Sequence, residues 1–264
     1  MGGEVGRRAL LRVVSGAVVS GAVGVGVLGR GRVARGDGRV FDGRDLTVVP
    51  TREREVALTF DCGGGDQGVD EVLGVLGAWG VAATFFMTGR FASVHGDAAR
   101  RIARAYPVGN HSMTHPAFPG LTREQRVEEV RSAAAAVERA VGRPPVRLFR
   151  FPFGEVNREC VADVNAEGYT CVRWTVDTLG WKGAGGGITT ERVVGRVLDA
   201  LVPGAIVLMH VGRTSSADPS TVDAAALPEL IQAISDRGYG FLSLDGLLGG
   251  RVGGPAPVAN SRRR

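Results

Sequence analysis

Between residues 54 and 244 apolar positions come in short, nearly unbroken runs. Each run is followed by polar or glycine residues and then by a stretch whose apolar positions recur at helical spacing. The runs predict seven strands, at 56–61, 82–88, 106–110, 147–151, 169–176, 205–210 and 240–244. The spaced stretches predict helices at about 68–79, 92–105, 122–141, 157–167, 190–201 and 224–237. The third opens on Thr122-x-x-Gln125, the signature of a reciprocal N-terminal cap. Strands that are apolar on both faces and alternate with helices imply an α/β fold with a parallel sheet covered by helices.

The polar residues decide between an open sheet and a barrel. Asp61, His111, His115, Arg150, Asp177 and His210 all fall at, or just past, the C-terminal ends of strands, five strands in all. In a closed barrel those ends converge on one mouth, whereas an open sheet gathers only those at its switch point. A barrel of seven βα units is therefore expected.

With 264 residues, 44% of them hydrophobic, the chain can bury a sizeable core. Its formal net charge of +5 suggests nucleic acid only until it is divided along the chain. Residues 1–36 carry +5 and residues 247–264 carry +4, which leaves the body at −4. An acidic body between basic tails gives no footprint for a phosphate backbone, so no nucleic-acid partner is expected.

Residues 1–36 pair Arg7-Arg8 with a weakly apolar run from 13 to 28, the layout of a twin-arginine-like export signal. The run is short for a membrane span, and the readings are a cleaved signal, an uncleaved N-terminal membrane anchor and a disordered basic leader. The expected location is secreted, wall-associated or membrane-anchored. The remaining divisions are a linker at 37–53, the catalytic domain at 54–245 and a disordered basic tail at 246–264. The three cysteines, Cys62, Cys160 and Cys171, form no CxxC pair; Cys160 and Cys171 could bridge, with buried free thiols the preferred reading.

His111 and His115 have i, i+4 spacing, which puts two imidazoles on one face of a helical turn and suits a zinc-like ion, and the strand ending at Val108-Gly109-Asn110 with Pro116 just beyond sets the pair at a loop mouth. His95, on a helix with solvated neighbours, reads as a surface residue. Asp61 sits where an apolar strand meets the glycines of Gly63-Gly64-Gly65, a rigid place for a carboxylate beside an approachable backbone. A plain helix cap is the alternative reading of such an acid, and Asp66, nearer the following helix, is a better cap candidate than Asp61.

Five separated motifs carry a further resemblance: Thr59-Phe60-Asp61, the run from His111 to His115, Arg150-Phe151-Pro152-Phe153-Gly154, the run from Asp177 to Trp181, and Leu208-Met209-His210. In this order they resemble the polysaccharide deacetylase family, the NodB-homology domain of carbohydrate esterase family 4. The resemblance implies a distorted (β/α)7 barrel that removes acetyl groups from an acetylated polysaccharide. It implies a divalent metal ion, zinc being expected, held by His111 and His115. Asp61 would be the general base, His210 the proton donor to the leaving amine, and Arg150 the brace of Asp61. Phe153, Trp181 and Leu208 would bind substrate.

Two positions depart from that pattern. Cys62 stands where the family has a second Asp as third metal ligand. Asp66 reaching in from the glycine loop is the preferred replacement, with a Cys62 thiolate or a weaker two-histidine site as alternatives. Gly180 replaces the second Asp of Asp-x-x-Asp-Trp, a carboxylate expected to brace Arg150. The rival readings are an allantoinase-like, metal-independent hydrolase of another C–N bond and a non-catalytic polysaccharide-binding barrel. The retained histidines oppose the first, and Asp61 with His210 opposes the second.

Overall fold

In the computed structural model, which describes residues 43–212 and 221–248, nine strands form one parallel sheet. They are β1 (Asp45–Leu46), β2 (Glu55–Cys62), β3 (Ala83–Met87), β4 (Val108–Asn110), β5 (Leu148–Phe149), β6 (Thr170–Val172), β7 (Val176–Asp177), β8 (Ile206–Val211) and β9 (Gly240–Phe241). The helices are α1 (Val69–Trp79), α2 (Gly89–Val94), α3 (Gly96–Ala105), α4 (Arg123–Val141), α5 (Arg158–Ala166), α6 (Thr190–Asp199) and α7 (Val222–Asp236). The sheet runs β1-β6-β5-β4-β3-β2-β8-β7, with β9 added to the start of β2.

Alternation along the strands builds two cores. Val56, Leu58, Phe60 and Cys62 of β2 face the helices, as do Val207, Met209 and Val211 of β8. Ala57, Phe86, Leu148, Val172 and Ile206 point the other way and fill the barrel interior. At the bottom, Leu244 joins this inner cluster and its N–H donates to Thr84 Oγ1 at 2.9 Å.

The expected barrel is present, and its distortion is a seam. The edge strands β1 and β7 do not pair with each other. The predicted strand 169–176 is two strands: β6 pairs with β5 and β1, and β7 crosses the seam to pair with β8. Residues 45–49 span that seam at the bottom. β1 pairs with β6, Val48 bridges Ala205, and the Val49 N–H donates to the Gly204 carbonyl at 2.8 Å. Part of the expected 37–53 linker is thus a strap of the barrel, too short to show periodicity. The expected tail likewise starts later, because residues 244–248 form a 3-10 turn.

The predicted helix at 92–105 is broken into α2 and α3 at His95, which leaves helical geometry at φ −114°, ψ 49°. Thr88 caps α2 by accepting from the Phe91 N–H at 3.0 Å. The cap predicted for the third helix forms in full on α4, Thr122 and Gln125 each bonding the other's backbone. The three cysteines are buried and form no disulfide, as the preferred reading expects. The expected export signal at 1–36 and residues 249–264 of the expected tail lie outside the described residues, among which no helix is long and apolar enough to cross a membrane.

Candidate active site

The C-terminal strand ends open into a cavity of about 640 Å³. Asp61, His111, His115, Trp181, Leu208 and His210 line it, and Phe153 stands on its rim. Five of the six strand-end residues expected at one mouth line this space, and the sixth, Arg150, lies buried directly beneath Asp61.

Arg150 and Asp61 form the floor. Arg150 is fully buried, and Nη1 donates to Asp61 Oδ1 at 2.8 Å. Its Nη2 donates to the Arg173 carbonyl at 3.0 Å, and the guanidinium lies 4.1 Å from the centre of the Phe86 ring. A buried guanidinium persists only when paired in this way. Burial pushes the Asp61 carboxyl up, but Arg150, His111 and His210 together hold it below the usual carboxylate range. Asp61 is therefore an ionised carboxylate at neutral pH, poised to accept a proton.

The histidine pair sits on a loop after β4, and its helical spacing proves not to be helical. Ser112 and His115 both adopt left-handed backbone, at φ 66° and 67°. Glu129 of α4 compensates: Oε2 accepts the Met113 and Thr114 N–H groups, each at 2.8 Å, and Oε1 accepts the Thr114 hydroxyl at 2.6 Å. Asn110 and Ser112 add bonds from within the loop. The result places the two rings edge-on, 4.8 Å apart, with Phe153 packed 4.5 Å from the His115 ring.

His111 Nδ1 faces the Arg150 carbonyl at 2.8 Å, so that nitrogen carries the proton. Its Nε2 lone pair is left facing Asp61 Oδ2 at 3.3 Å. Two acceptors so oriented leave room for a cation, and an imidazole fixed by a backbone carbonyl is the usual arrangement of a metal-ligating histidine. Burial lowers the His111 pKa and pushes that of His115 down to about 4. Both rings are neutral donors at pH 7.

Neither expected third ligand joins them. Cys62 packs with the helix-side core, where burial and the adjacent Asp61 charge push its thiol well up, against a thiolate. Asp66 lies on the far side of the glycine loop, 3.5 Å from His95 Nδ1, and does not line the cavity. That loop is pinned, because the Gly212 N–H donates to the Gln67 carbonyl at 2.8 Å. His95, read as a surface residue, is thus a partly buried partner of Asp66. Among the described residues no three His, Cys, Asp or Glu side chains converge as a metal cluster.

Beside Asp61 of β2, in register with it on the neighbouring strand β8, stands His210. Its N–H donates to Asp223 Oδ2 at 2.8 Å, and the same oxygen lies 3.7 Å from Nδ1, an ion-pair distance outside hydrogen-bond reach. Burial lowers the His210 pKa, but the carboxylates of Asp223, Asp61 and Asp177 raise it overall, so the ring is held protonated more readily than usual. Gly180 touches this pair and not Arg150. The expectation that its missing carboxylate braces Arg150 is corrected, since Asp61 and two backbone carbonyls hold that guanidinium. Asp177 is spent on its own turn, Oδ1 accepting the Leu179 N–H at 2.8 Å and Oδ2 the Trp181 indole N–H at 3.3 Å.

Sequence reasoning missed Asp223 and Glu129. A signal existed for Asp223, which shares its helix face with Leu227, Leu230 and Ile234, an acid on an apolar stripe. Glu129 had none, lying on a helix rich in charged residues.

Residues 48–172 match the family model for polysaccharide deacetylase. The chain is 35% identical over 209 residues to a chitooligosaccharide deacetylase of Sinorhizobium fredii, covering 75% of this chain and 95% of that protein. It is 29% identical over 196 residues to a peptidoglycan-N-acetylglucosamine deacetylase of Bacillus cereus, covering 74% of this chain and 68% of that protein. Among solved structures it resembles a carbohydrate esterase family 4 pseudoenzyme from Bacillus anthracis. The TM-score is 0.70 at 28% identity, over 79% of this chain and 70% of that one.

Proposed function

The chain belongs to the polysaccharide deacetylase family, hydrolases of non-peptide carbon–nitrogen bonds, and on that premise we propose that it removes acetyl groups from the N-acetylated sugars of a cell-wall or extracellular polymer. Peptidoglycan is the leading substrate, and chitin-type oligosaccharides follow. One observation carries this reading: an ionised Asp61 and a readily protonated His210 stand in register on neighbouring strands in the lining of one cavity, with two neutral imidazoles in the same lining.

His111 and His115 fit a divalent ion, zinc by preference, which when bound would polarise the acetyl carbonyl and activate water. The rest is done by the chain itself. Asp61 accepts the proton of the attacking water as the oxygen bonds to the acetyl carbon. His210 then donates a proton to the sugar nitrogen as the C–N bond breaks, releasing acetate and a free amine. Arg150 keeps Asp61 charged and fixed. Leu208 offers an apolar wall for the acetyl methyl, and Trp181 and Phe153, 38% and 63% exposed, offer faces for sugar rings.

The paired arginines and apolar run of residues 1–36 support export, which puts the enzyme beside such polymers. The test is acetate release from peptidoglycan and from chitooligosaccharides by the zinc-supplemented full chain, with Asp61→Asn as control. Release by the wild type alone supports the reading. Polymer binding without release would instead make the chain a binding barrel.

A further inference from the structure

The fourth motif carries Gly180 where the family resemblance implies Asp, and the structure shows what fills that space. A Cβ added to Gly180 would stand 2.5 Å from Asp223 Oδ2, and closer still to its Cγ and Oδ1. Backbone conformation does not demand this glycine. The left-handed residue of the turn is Leu179, at φ 62°, and Gly180 has no positive φ. The missing side chain is a matter of room, because any residue with a Cβ would displace the Asp223 carboxylate.

Asp223 is only 2% exposed. An acid in the first turn of a helix ordinarily serves its own helix, through the dipole or the free N–H groups. Here the carboxylate reaches across to β8 and accepts the His210 N–H at 2.8 Å. Its other oxygen, Oδ1, and His210 Nδ1 are both buried without a hydrogen-bond partner. An imidazole nitrogen and a carboxylate with unspent bonding capacity, 3.7 Å apart at the nearer oxygen, form a pair that a small ring movement closes.

We propose that Asp223 is the positioning residue for the proton donor His210, and that in this chain the carboxylate has moved from the loop after β7 to the first turn of α7, with Gly180 keeping its place clear. This rests on the deacetylase reading above for the identity of the reaction, but not for the pairing. The other charged or titratable groups acting on His210 are Asp61 of β2, Asp177 of β7, and His111 and His115 from the loop after β4. None of them bonds the His210 backbone, whereas Asp223 bonds it and also stands at ion-pair distance from the ring.

The test follows the imidazole directly. In the full chain, NMR titration of the four histidines, with His210→Gln to assign its signal, gives the His210 pKa without any need for activity. Asp223→Asn keeps an acceptor for the His210 N–H but removes the charge. It should lower that pKa by about one pH unit or more. It should also lower kcat by roughly 10- to 100-fold with KM little changed, the alkaline limb moving down with the pKa. Gly180→Asp/Asp223→Ala, which puts a carboxylate back on the motif, should recover both, while Asp223→Ala alone should not.

An Asp223→Asn titration and kcat that superimpose on wild type would overturn the proposal. So would a double variant no better than Asp223→Ala. If circular dichroism shows Asp223→Asn unfolded, the comparison of Asp223→Ala with the double variant decides. Should the wild type release no acetate from either polymer, the deacetylase reading fails, and the titration still decides the Asp223–His210 pair.

Discussion

On one side of the mouth, His111 and His115 face Asp61 with no third acidic or thiolate ligand among the described residues. On the other, His210 has a carboxylate behind it although Gly180 supplies none. Both sides carry a motif position that departs from the family, and the consequences are opposite. Cys62 turns into the helix-side core, and among the described residues no third His, Cys, Asp or Glu joins the two histidines as a metal cluster. Gly180 leaves a space that Asp223 fills from another element. A departure read along the chain is therefore not the loss of a group; what matters is whether some other residue delivers the same atoms to the same place.

The largest effects test whether the two sides work together at all. Asp61→Asn should abolish acetate release, by about 10²–10⁴-fold or more, since it removes the base and the partner of a buried guanidinium together. His210→Asn should cost about 10²–10³-fold and act on the leaving-group step. An N-acetyl substrate activated by a good leaving group would then be spared by His210→Asn and not by Asp61→Asn. Equal losses on activated and natural substrates would end the division of labour proposed here.

A smaller effect is expected from Glu129, which touches neither ring. Its carboxylate holds the backbone of Met113 and Thr114 between the two histidines. Glu129→Ala should weaken zinc binding about 10- to 100-fold, as loss of an outer partner of a metal ligand does. Titration of the apo-protein with zinc by calorimetry measures this, and wild-type affinity would show that the loop needs no support.

How much of this was legible depends on range. The strand ends at Asp61, Asp177 and His210, the cap at Thr122 and the barrel class follow from local pattern, because alternation, capping and turn chemistry act over a few residues. Three features were not legible. The strap at residues 45–49 is stabilised by partners more than a hundred residues away, and so leaves no local period. The loop carrying His115 looks helical by spacing, yet Glu129 sustains two left-handed residues there. Asp66 looked free to reach the metal because its loop is rich in glycine, whereas the approach of Gly212 pins that loop in place.

pH separates the two sides without any substitution. Asp61 has its pKa held below the ordinary carboxylate range, so the base stays active to unusually low pH and the acid limb of kcat/KM should lie below that range. His210 is raised, so the alkaline limb should lie above the ordinary histidine range. For stability the raised group contributes below its unfolded pKa and loses that contribution as pH rises through the folded one. His115 acts the other way. Held neutral down to about pH 4, it makes the unfolded chain the better proton acceptor as pH falls from the ordinary histidine range. The melting temperature should therefore begin to fall near pH 6.5, well above any carboxylate titration. His115→Gln should remove its share of that early decline and leave the share of His111, whose pKa burial lowers as well.

The smallest expected effects are the most informative about the imidazole side. Asp66→Ala should leave zinc affinity within about twofold of wild type, because the carboxylate is engaged with His95 outside the cavity. Cys62→Ser should do the same to affinity while lowering stability by about 1–3 kcal/mol, the cost of a hydroxyl in an apolar core. Loss of zinc in Asp66→Ala would mean that the pinned loop opens when the ion arrives. Loss in Cys62→Ser, with stability unchanged, would mean that β2 turns its last residue toward the mouth. Binding unchanged in both leaves His111 and His115 as the chain's own donors, with the remaining positions of the ion open to water and substrate, so that the side with the unreplaced carboxylate becomes the side on which affinity for metal limits the enzyme.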